Sequence, residues 1–141
     1  MGLIAAAALL GAALPAYGSN GSCKFQAQGL SMSFGALDPR SGSTVTVAVS
    51  ATSLNADNAG DCTVGTMTIS ADNGIHFSGS RRLSNGTDFI AYTLVGLPYS
   101  RSGPGNNSYA PFTFNGTISG SAYANASAGA YSDSVVISVN P

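Results

Sequence analysis

Charge is scarce in this chain of 141 residues. It has no Glu, no Trp, one Lys and one His, and charged residues make up 8% of it, against roughly 25% in an average globular protein. Five Lys and Arg stand against six Asp, which gives a formal net charge of −1. No basic face is available to neutralise a nucleic-acid backbone, so nucleic acid is excluded from the expected partners.

Residues that perform catalysis or bind metals are equally scarce. His76 belongs to no recognisable nucleophile motif, so we expect no enzymatic activity and place His76 at the surface or at a strand end. Two Cys and one His cannot fill the four positions of a zinc site. The segment 55–61, NADNAGD, offers oxygen donors but lacks the pattern of an EF-hand loop. The sequence therefore predicts no cofactor and no metal.

The Asp residues are expected to stabilise turns. Each of the six lies in a context rich in Gly, Ser or Asn, where a carboxylate accepts hydrogen bonds from backbone N–H groups. They are Asp38, Asp57, Asp61, Asp72, Asp88 and Asp133. This interpretation is favoured over paired catalytic carboxylates of the kind that glycosidases use.

The chain lacks a long hydrophobic run, but a short one opens it. Leu3–Leu14 is too short to span a bilayer and has the length of the apolar core of a signal peptide, although no Lys or Arg precedes it. Small residues occupy the −3 and −1 positions of a cleavage site before Ser19. We therefore expect 1–18 to be a signal peptide and 19–141 to be an exported domain. The alternative is a buried, Ala-rich helix.

The two cysteines, Cys23 and Cys62, are the only ones in the chain. Two cysteines in an exported domain most simply form one disulfide. The bond would close a long loop and stabilise the fold by roughly 3–4 kcal/mol through the unfolded state.

Apolar residues recur with period 2 along most of the chain, which is typical of half-buried strands. The runs are LSMSF, TVTVAVS, VGTMTIS, DFIAYTL, APFTFNGTIS and the closing GAYSDSVVISVNP. In DFIAYTL either face could be the buried one. Turn sequences rich in Gly, Asn and Asp separate the runs, and no internal repeat is present. The pattern predicts an all-β sandwich of six to eight strands, with a long exposed loop at about 96–109.

The order of these fragments resembles the spore coat protein U domain family, which includes subunits of archaic chaperone–usher pili. Between and after the two cysteines, the chain carries Phe34-Gly35 with Pro39, then Arg82-Leu83 with Tyr92 and Leu94. It closes on the pattern Gly129, Tyr131, Asp133, Val135, Ile137, Val139. The resemblance covers about 23–141 and depends on the ordered set, because no single motif is specific.

This resemblance implies an immunoglobulin-like β-sandwich that is incomplete and is completed by a donor strand from another chain. A groove would then lie between the first and the last strands of the sandwich. The expected groove residues are Leu30, Met32, Phe34, Val135, Ile137 and Val139. The implied partners are a periplasmic chaperone, an outer-membrane usher and neighbouring pilus subunits, which exchange strands by β-augmentation.

The N-terminal region departs from the family pattern. Cleavage before Ser19 would leave four residues ahead of Cys23, without a large apolar side chain to act as a donor strand. Two explanations remain open. The protein is a tip or capping subunit that only receives a strand, or 1–22 is retained and its Ala-rich run is itself the donor segment. The lack of alternation in that run weakens the second explanation.

The expected function is that of a structural subunit of an extracellular pilus or surface coat, exported through the periplasm to the cell surface. The alternative is a stand-alone secreted adhesin or carbohydrate-binding module that uses the loop at 96–109. In that case Tyr99, Arg101 and Tyr109 would contact sugars or surfaces.

Overall fold

The structure, a computed structural model, describes residues 4–11, 30–51, 66–102 and 112–140. Within those ranges it contains nine strands: β1 (Ile4–Gly11), β2 (Leu30–Leu37), β3 (Val45–Ala51), β4 (Thr66–Ala71), β5 (Arg81–Ser84), β6 (Phe89–Val95), β7 (Tyr99–Ser102), β8 (Phe112–Ile118) and β9 (Ala130–Asn140). The single helix of the described ranges, α1, is a four-residue turn, Gly120–Tyr123. The all-β prediction is confirmed, and the helical alternative for the N-terminal run is wrong for 4–11. No helix in the described ranges is long and apolar enough to cross a membrane.

The strands follow the order β2-β1-β9-β5-β6-β8-β3, with β4 attached to β9 and β7 attached to β4. Two strands change partners along their length. β6 pairs with β5 through its first half and with β8 through Thr93–Val95. β9 pairs with β1 and β5 through its first half and with β4 from Ile137 onward. These changes of partner fold the strands into the two layers of a sandwich-type fold.

The two layers meet where β2 lies over β8. Gly116 of β8 faces Met32 and Phe34 of β2 so closely that a Cβ atom on Gly116 would overlap the sulfur of Met32 and lie 2.8 Å from the ring of Phe34. A glycine is therefore required at this point of β8. Its absent side chain allows the two large residues of β2 to fill the space between the layers.

The core consists of the inward-facing residues of the alternating strands. Its fully buried large side chains are Met32, Leu37, Ile69, Leu83, Ile90, Phe114, Ile118, Tyr123, Tyr131 and Ile137. In β6 the buried face is that of Ile90 and Tyr92, and Phe89 is exposed. The structure therefore decides which face of β6 is buried, a question that the alternation of DFIAYTL left open.

Strand β2 interrupts its own alternation at a bulge. Phe34 and Leu37 are both buried although they are three residues apart, and the register with β1 shifts between Ala6 and Ala7. Gly35 lies in the bulge with φ of +71°, a conformation that favours glycine. In a regular strand Ala36 would follow Phe34 on the inward face. Because of the bulge, Leu37 points into the core instead.

Candidate functional site: the groove between the first and last strands

Strand β1 lies between β2 and β9 and is hydrogen-bonded to both. It runs antiparallel along β2, from Ile4 opposite Leu37 to Leu10 opposite Leu30. It runs parallel along β9, from Ala5 opposite Ala130 to Gly11 opposite Val136. Without β1, the edges of β2 and β9 would face each other across a gap one strand wide. We call this gap the groove, and β1 is its occupant in the structure.

The expected groove residues lie on the two strands that border it. Met32 and Phe34 of β2 are buried, and Leu30 is half-buried. Val135 is fully buried and opposite Leu10 of β1. Met32, Phe34 and Val135, which border the groove, therefore also belong to the hydrophobic core.

The last two expected groove residues lie beyond the reach of β1. The final pair between β1 and β9 joins Gly11 to Val136. Ile137 is buried, and it pairs with Ala71 of β4. The backbone of Val139 pairs with Ile69 of the same strand, and its side chain lies outside the described part of the structure.

The other side of β9 is covered by β4, by the loop that follows it, 72–77, and by the end of β5, where Ser84 pairs with Ser132. Asp72 donates its backbone N–H to the carbonyl of Val136 at 3.0 Å and accepts the N–H of Val136 on its carboxylate at 3.0 Å. Ile75 donates its N–H to the carbonyl of Ser134 at 3.1 Å. The loop therefore continues the hydrogen bonding of β4 along β9 without being a regular strand.

Asp133 of β9 fixes this loop from inside the sandwich. Its carboxylate is buried and accepts the hydroxyl of Tyr92 at 2.7 Å and the backbone N–H groups of Ile75 and His76 at 3.1 and 3.3 Å. The expectation that Asp133 occupies a turn is wrong, because the alternation of β9 points it inward between Tyr131 and Val135. A buried carboxylate is tolerated here because its hydrogen-bonding capacity is used.

Two further groups fit around this carboxylate. Gly74 has φ of +78°, and a Cβ atom there would overlap the Asp133 carboxylate, so the loop can approach only with glycine at this position. Nδ1 of His76 lies 3.3 Å from Oδ1 of Asp133. Burial, and then the hydrogen bond to Asp133, raise the pKa of Tyr92 well above its ordinary value. The hydroxyl of Tyr92 thus remains a donor at all physiological pH values.

The remaining predicted sites are only partly described. Cys23, Cys62 and Tyr109 lie outside the described residues, as does the segment 55–61. Tyr99 and Arg101 belong to strand β7, where Tyr99 is opposite Ile69 and Arg101 is opposite Met67, so this part of the expected loop is a strand. Within the described ranges, no three His, Cys, Asp or Glu side chains gather in a way that could hold a metal ion.

Asp133 is the functional-site residue that sequence reasoning misassigned. A signal for it was present, because Tyr131, Asp133 and Val135 share one face of an apolar strand, and a carboxylate at such a position needs buried donors. The identity of those donors could not be read in advance, because Tyr92 and the loop 72–77 are distant in sequence.

No protein-family model matches this chain, and no curated protein matches it in sequence. The resemblance to the spore coat protein U domain family therefore stays a prediction.

Proposed function

We propose that this protein is a structural subunit of an extracellular filament or surface coat whose sandwich is completed by a donor strand. The observation that supports this proposal is the position of β1, which is paired on both sides between the first and last strands of the sandwich proper, 30–140. A strand inserted parallel to β9 and antiparallel to β2 has the geometry of β-augmentation.

An empty groove would be costly in two ways. The edges of β2 and β9 would lose the hydrogen bonds along β1, and unpaired strand edges invite pairing with other chains. The apolar residues beneath the groove, Met32, Phe34 and Val135, would also gain exposure to water, at roughly 25 cal/mol per Å². The domain therefore requires an occupant, whichever chain supplies it.

The occupant can come from the chain itself or from another chain. Between Gly11 and Leu30 lie 18 residues, which span about 60 Å when fully extended. That length is sufficient for residues 4–11 to fill either the groove of their own domain or the groove of a neighbouring copy. If 1–18 is instead removed as a signal peptide, the groove must receive a strand from a partner, as expected of a tip or capping subunit.

The partners follow from this requirement. An exported subunit with an empty groove needs a temporary strand before assembly and a permanent strand afterwards. A periplasmic chaperone would supply the first, and a neighbouring subunit delivered at an outer-membrane usher would supply the second. The neutral, Ser- and Thr-rich composition is compatible with close packing between subunits.

The sequence of β1, IAAAALLG, suggests a weak occupant. Four successive Ala residues bury less apolar area than the branched or aromatic residues of a strong donor, since each CH₂ group contributes about 0.8 kcal/mol. Its affinity would come mainly from the backbone hydrogen bonds. A donor strand with alternating large residues would therefore displace it.

The experiment is a proline substitution in the occupant. Ala7 is opposite Ser33 on one side and Ser132 on the other, so Ala7→Pro removes an N–H donor from the middle of the strand. We expect the full-length variant to self-associate in size-exclusion chromatography and to melt at a lower temperature. A soluble peptide that alternates large apolar residues should restore the monomer and raise the melting temperature by mass action.

The control is Gly2→Pro, which adds the same residue outside β1. If Ala7→Pro behaves as Gly2→Pro does, remaining monomeric, equally stable and indifferent to every donor peptide, the groove has no role in assembly. The alternative of a stand-alone secreted adhesin would then take the place of the filament subunit.

A further inference from the structure

A second candidate site lies away from the groove, at the start of β6. It is an open cleft of about 190 Å³ between the turn that joins β5 to β6 and the segment that contains α1. The cleft is lined by Asp88, Phe89, Ser121, Ala122, Asn125 and Ala126. None of these residues belongs to β1, β2 or β9.

Phe89 forms an aromatic wall of this cleft. It occupies the solvent-facing side of β6, opposite to the buried Ile90, and 44% of its surface is exposed. The guanidinium carbon of Arg82 lies 4.1 Å from the centre of its ring, which covers one face by a cation–π contact. The ring of His76 also packs against Phe89, with 6.3 Å between the ring centroids and a tilt of 58°. The exposed area of Phe89 is what these two contacts leave uncovered, and they hold the ring in one orientation.

Asp88 supplies a carboxylate beside this ring. Its Oδ2 accepts the backbone N–H of Ser127 at 3.0 Å, and the hydroxyls of Ser127 and Tyr131 lie close enough to bond the same carboxylate. The backbone of Asp88 is held in turn by Asn85, whose side-chain oxygen accepts the Asp88 N–H at 2.7 Å. The hydrogen bonds from Ser127 lower the pKa of Asp88, which keeps this acceptor ionised in mildly acidic solution.

Asn125 and Ser121 supply neutral polar groups on the facing side. Asn125 is exposed, and within the described part of the chain its amide has no hydrogen-bond partner. The hydroxyl of Ser121 lies 3.2 Å from that of Ser119 and keeps further bonding capacity. The cleft thus presents an amide and a hydroxyl across from a carboxylate and an aromatic ring.

We propose that this cleft binds a neutral saccharide, with the C–H face of one sugar ring stacked on Phe89 and its hydroxyl groups bonded to Asp88 and Asn125. A pyranose ring combines an apolar face with an edge of hydroxyls that both donate and accept. A carboxylate offers about four lone-pair sites, so Asp88 can accept from one such hydroxyl beside its bonds from Ser127 and Tyr131, and the amide of Asn125 both donates and accepts. The proposal is independent of the function proposed above, since a filament subunit and a stand-alone adhesin could both use this site.

The size and charge of the cleft select against other ligands. Its volume lies below the roughly 300–1,000 Å³ of pockets that enclose drug-sized ligands, so it matches a single ring rather than a longer chain. A lone carboxylate repels anionic ligands such as phosphate esters or sulfated sugars. One carboxylate also supplies too few oxygen ligands for a calcium ion, which takes 6–8 oxygens.

The test is a titration of the ¹⁵N-labelled full-length protein with glucose, galactose, mannose and N-acetylglucosamine, followed by amide chemical shifts. For at least one sugar we expect saturable shifts at the amides of 88–89 and 121–126, with a dissociation constant of about 1–10 mM, as suits an open site of this size. Phe89→Ala and Asn125→Ala should each raise the dissociation constant for that sugar about ten-fold or more.

The matched control is Val95→Ala, which shortens another exposed apolar residue of β6 outside the cleft. Both Phe89 and Asn125 are exposed, so their variants should keep the wild-type amide spectrum elsewhere, which confirms folding. The proposal is overturned if none of the four sugars produces saturable shifts at concentrations up to about 50 mM. It is equally overturned if a sugar binds the Phe89→Ala variant as tightly as the Val95→Ala variant.

Discussion

The two sides of strand β9 are built in different ways. On one side, which we call the locked edge, β4 and the loop 72–77 are fixed by a buried carboxylate, a required glycine and a second Asp bonded to the β9 backbone. On the other side, the groove edge, an Ala-rich strand is paired through its backbone. The proposed function requires this difference, because it needs one edge of the last strand to be permanent and the other to exchange its partner.

The largest expected effect comes from removing the buried carboxylate of the locked edge. Asp133→Ala would leave the buried Tyr92 hydroxyl and the part-buried N–H of His76 without an acceptor, while the N–H of Ile75 keeps the carbonyl of Ser134. We expect the free energy of unfolding to fall by about 3–5 kcal/mol in urea denaturation. Asp38→Ala is the control, because the Asp38 carboxylate accepts the N–H of Arg40 in an exposed turn, and its removal should cost less than about 1 kcal/mol. Equal losses of stability in the two variants would contradict the claim that Asp133 fixes the locked edge.

A charge placed at a buried position near the end of β9 should lower the free energy of unfolding by nearly as much. Ile137 is buried and Ser138 points to the opposite face, so Ile137→Asp should cost about 3–4 kcal/mol and Ser138→Asp less than about 1 kcal/mol. Since Ile137 pairs with β4 rather than β1, the loss should persist when a donor peptide is present. Full rescue of Ile137→Asp by the peptide would instead place this residue in the groove.

A substitution of Gly74 tests how closely the loop must approach β9. Gly74→Ala combines a positive φ with an overlap on the Asp133 carboxylate, and we expect a loss of about 2 kcal/mol. Gly79→Ala is the control, since its φ is also positive, at +69°, but a Cβ atom there meets nothing within 4 Å. A similar loss in both variants would mean that backbone strain alone, and not contact with Asp133, makes Gly74 necessary.

The smallest effect is a dependence of stability on alkaline pH. The pKa of Tyr92 is raised in the folded protein, so its stabilising contribution is complete below the unfolded pKa of about 10 and is lost as pH rises above it. Between about pH 10 and 11 the wild type should lose roughly 1 kcal/mol more than Tyr92→Phe, in which the other tyrosines still titrate. Parallel pH profiles of the two proteins would show that Tyr92 is not held as a buried donor.

The sequence predicted the layers of this fold better than its edges. Alternation identified the β runs and the buried Met32, Phe34 and Val135, because period-2 burial is a local property of each strand. It did not predict the bulge at Gly35 or the short helix α1, which depend on neighbouring strands and loops. The strand formed by 4–11 was also not favoured, because Ala residues carry no alternation and only the gap between β2 and β9 gives the segment a place to pair.

The most direct test of the account uses two neighbouring valines of β9. Val136 donates its N–H to Asp72 on the locked edge, and by strand alternation the N–H of Val135 points to β1 on the groove edge. In native-state hydrogen exchange of the full-length protein, the Val135 amide should open with a free energy well below that of global unfolding, and the Val136 amide with one close to it. An added donor peptide should slow exchange at Val135 and leave Val136 nearly unchanged. If both amides exchange only by global unfolding and the peptide alters neither, β1 is a permanent strand and the groove is not a site of strand exchange.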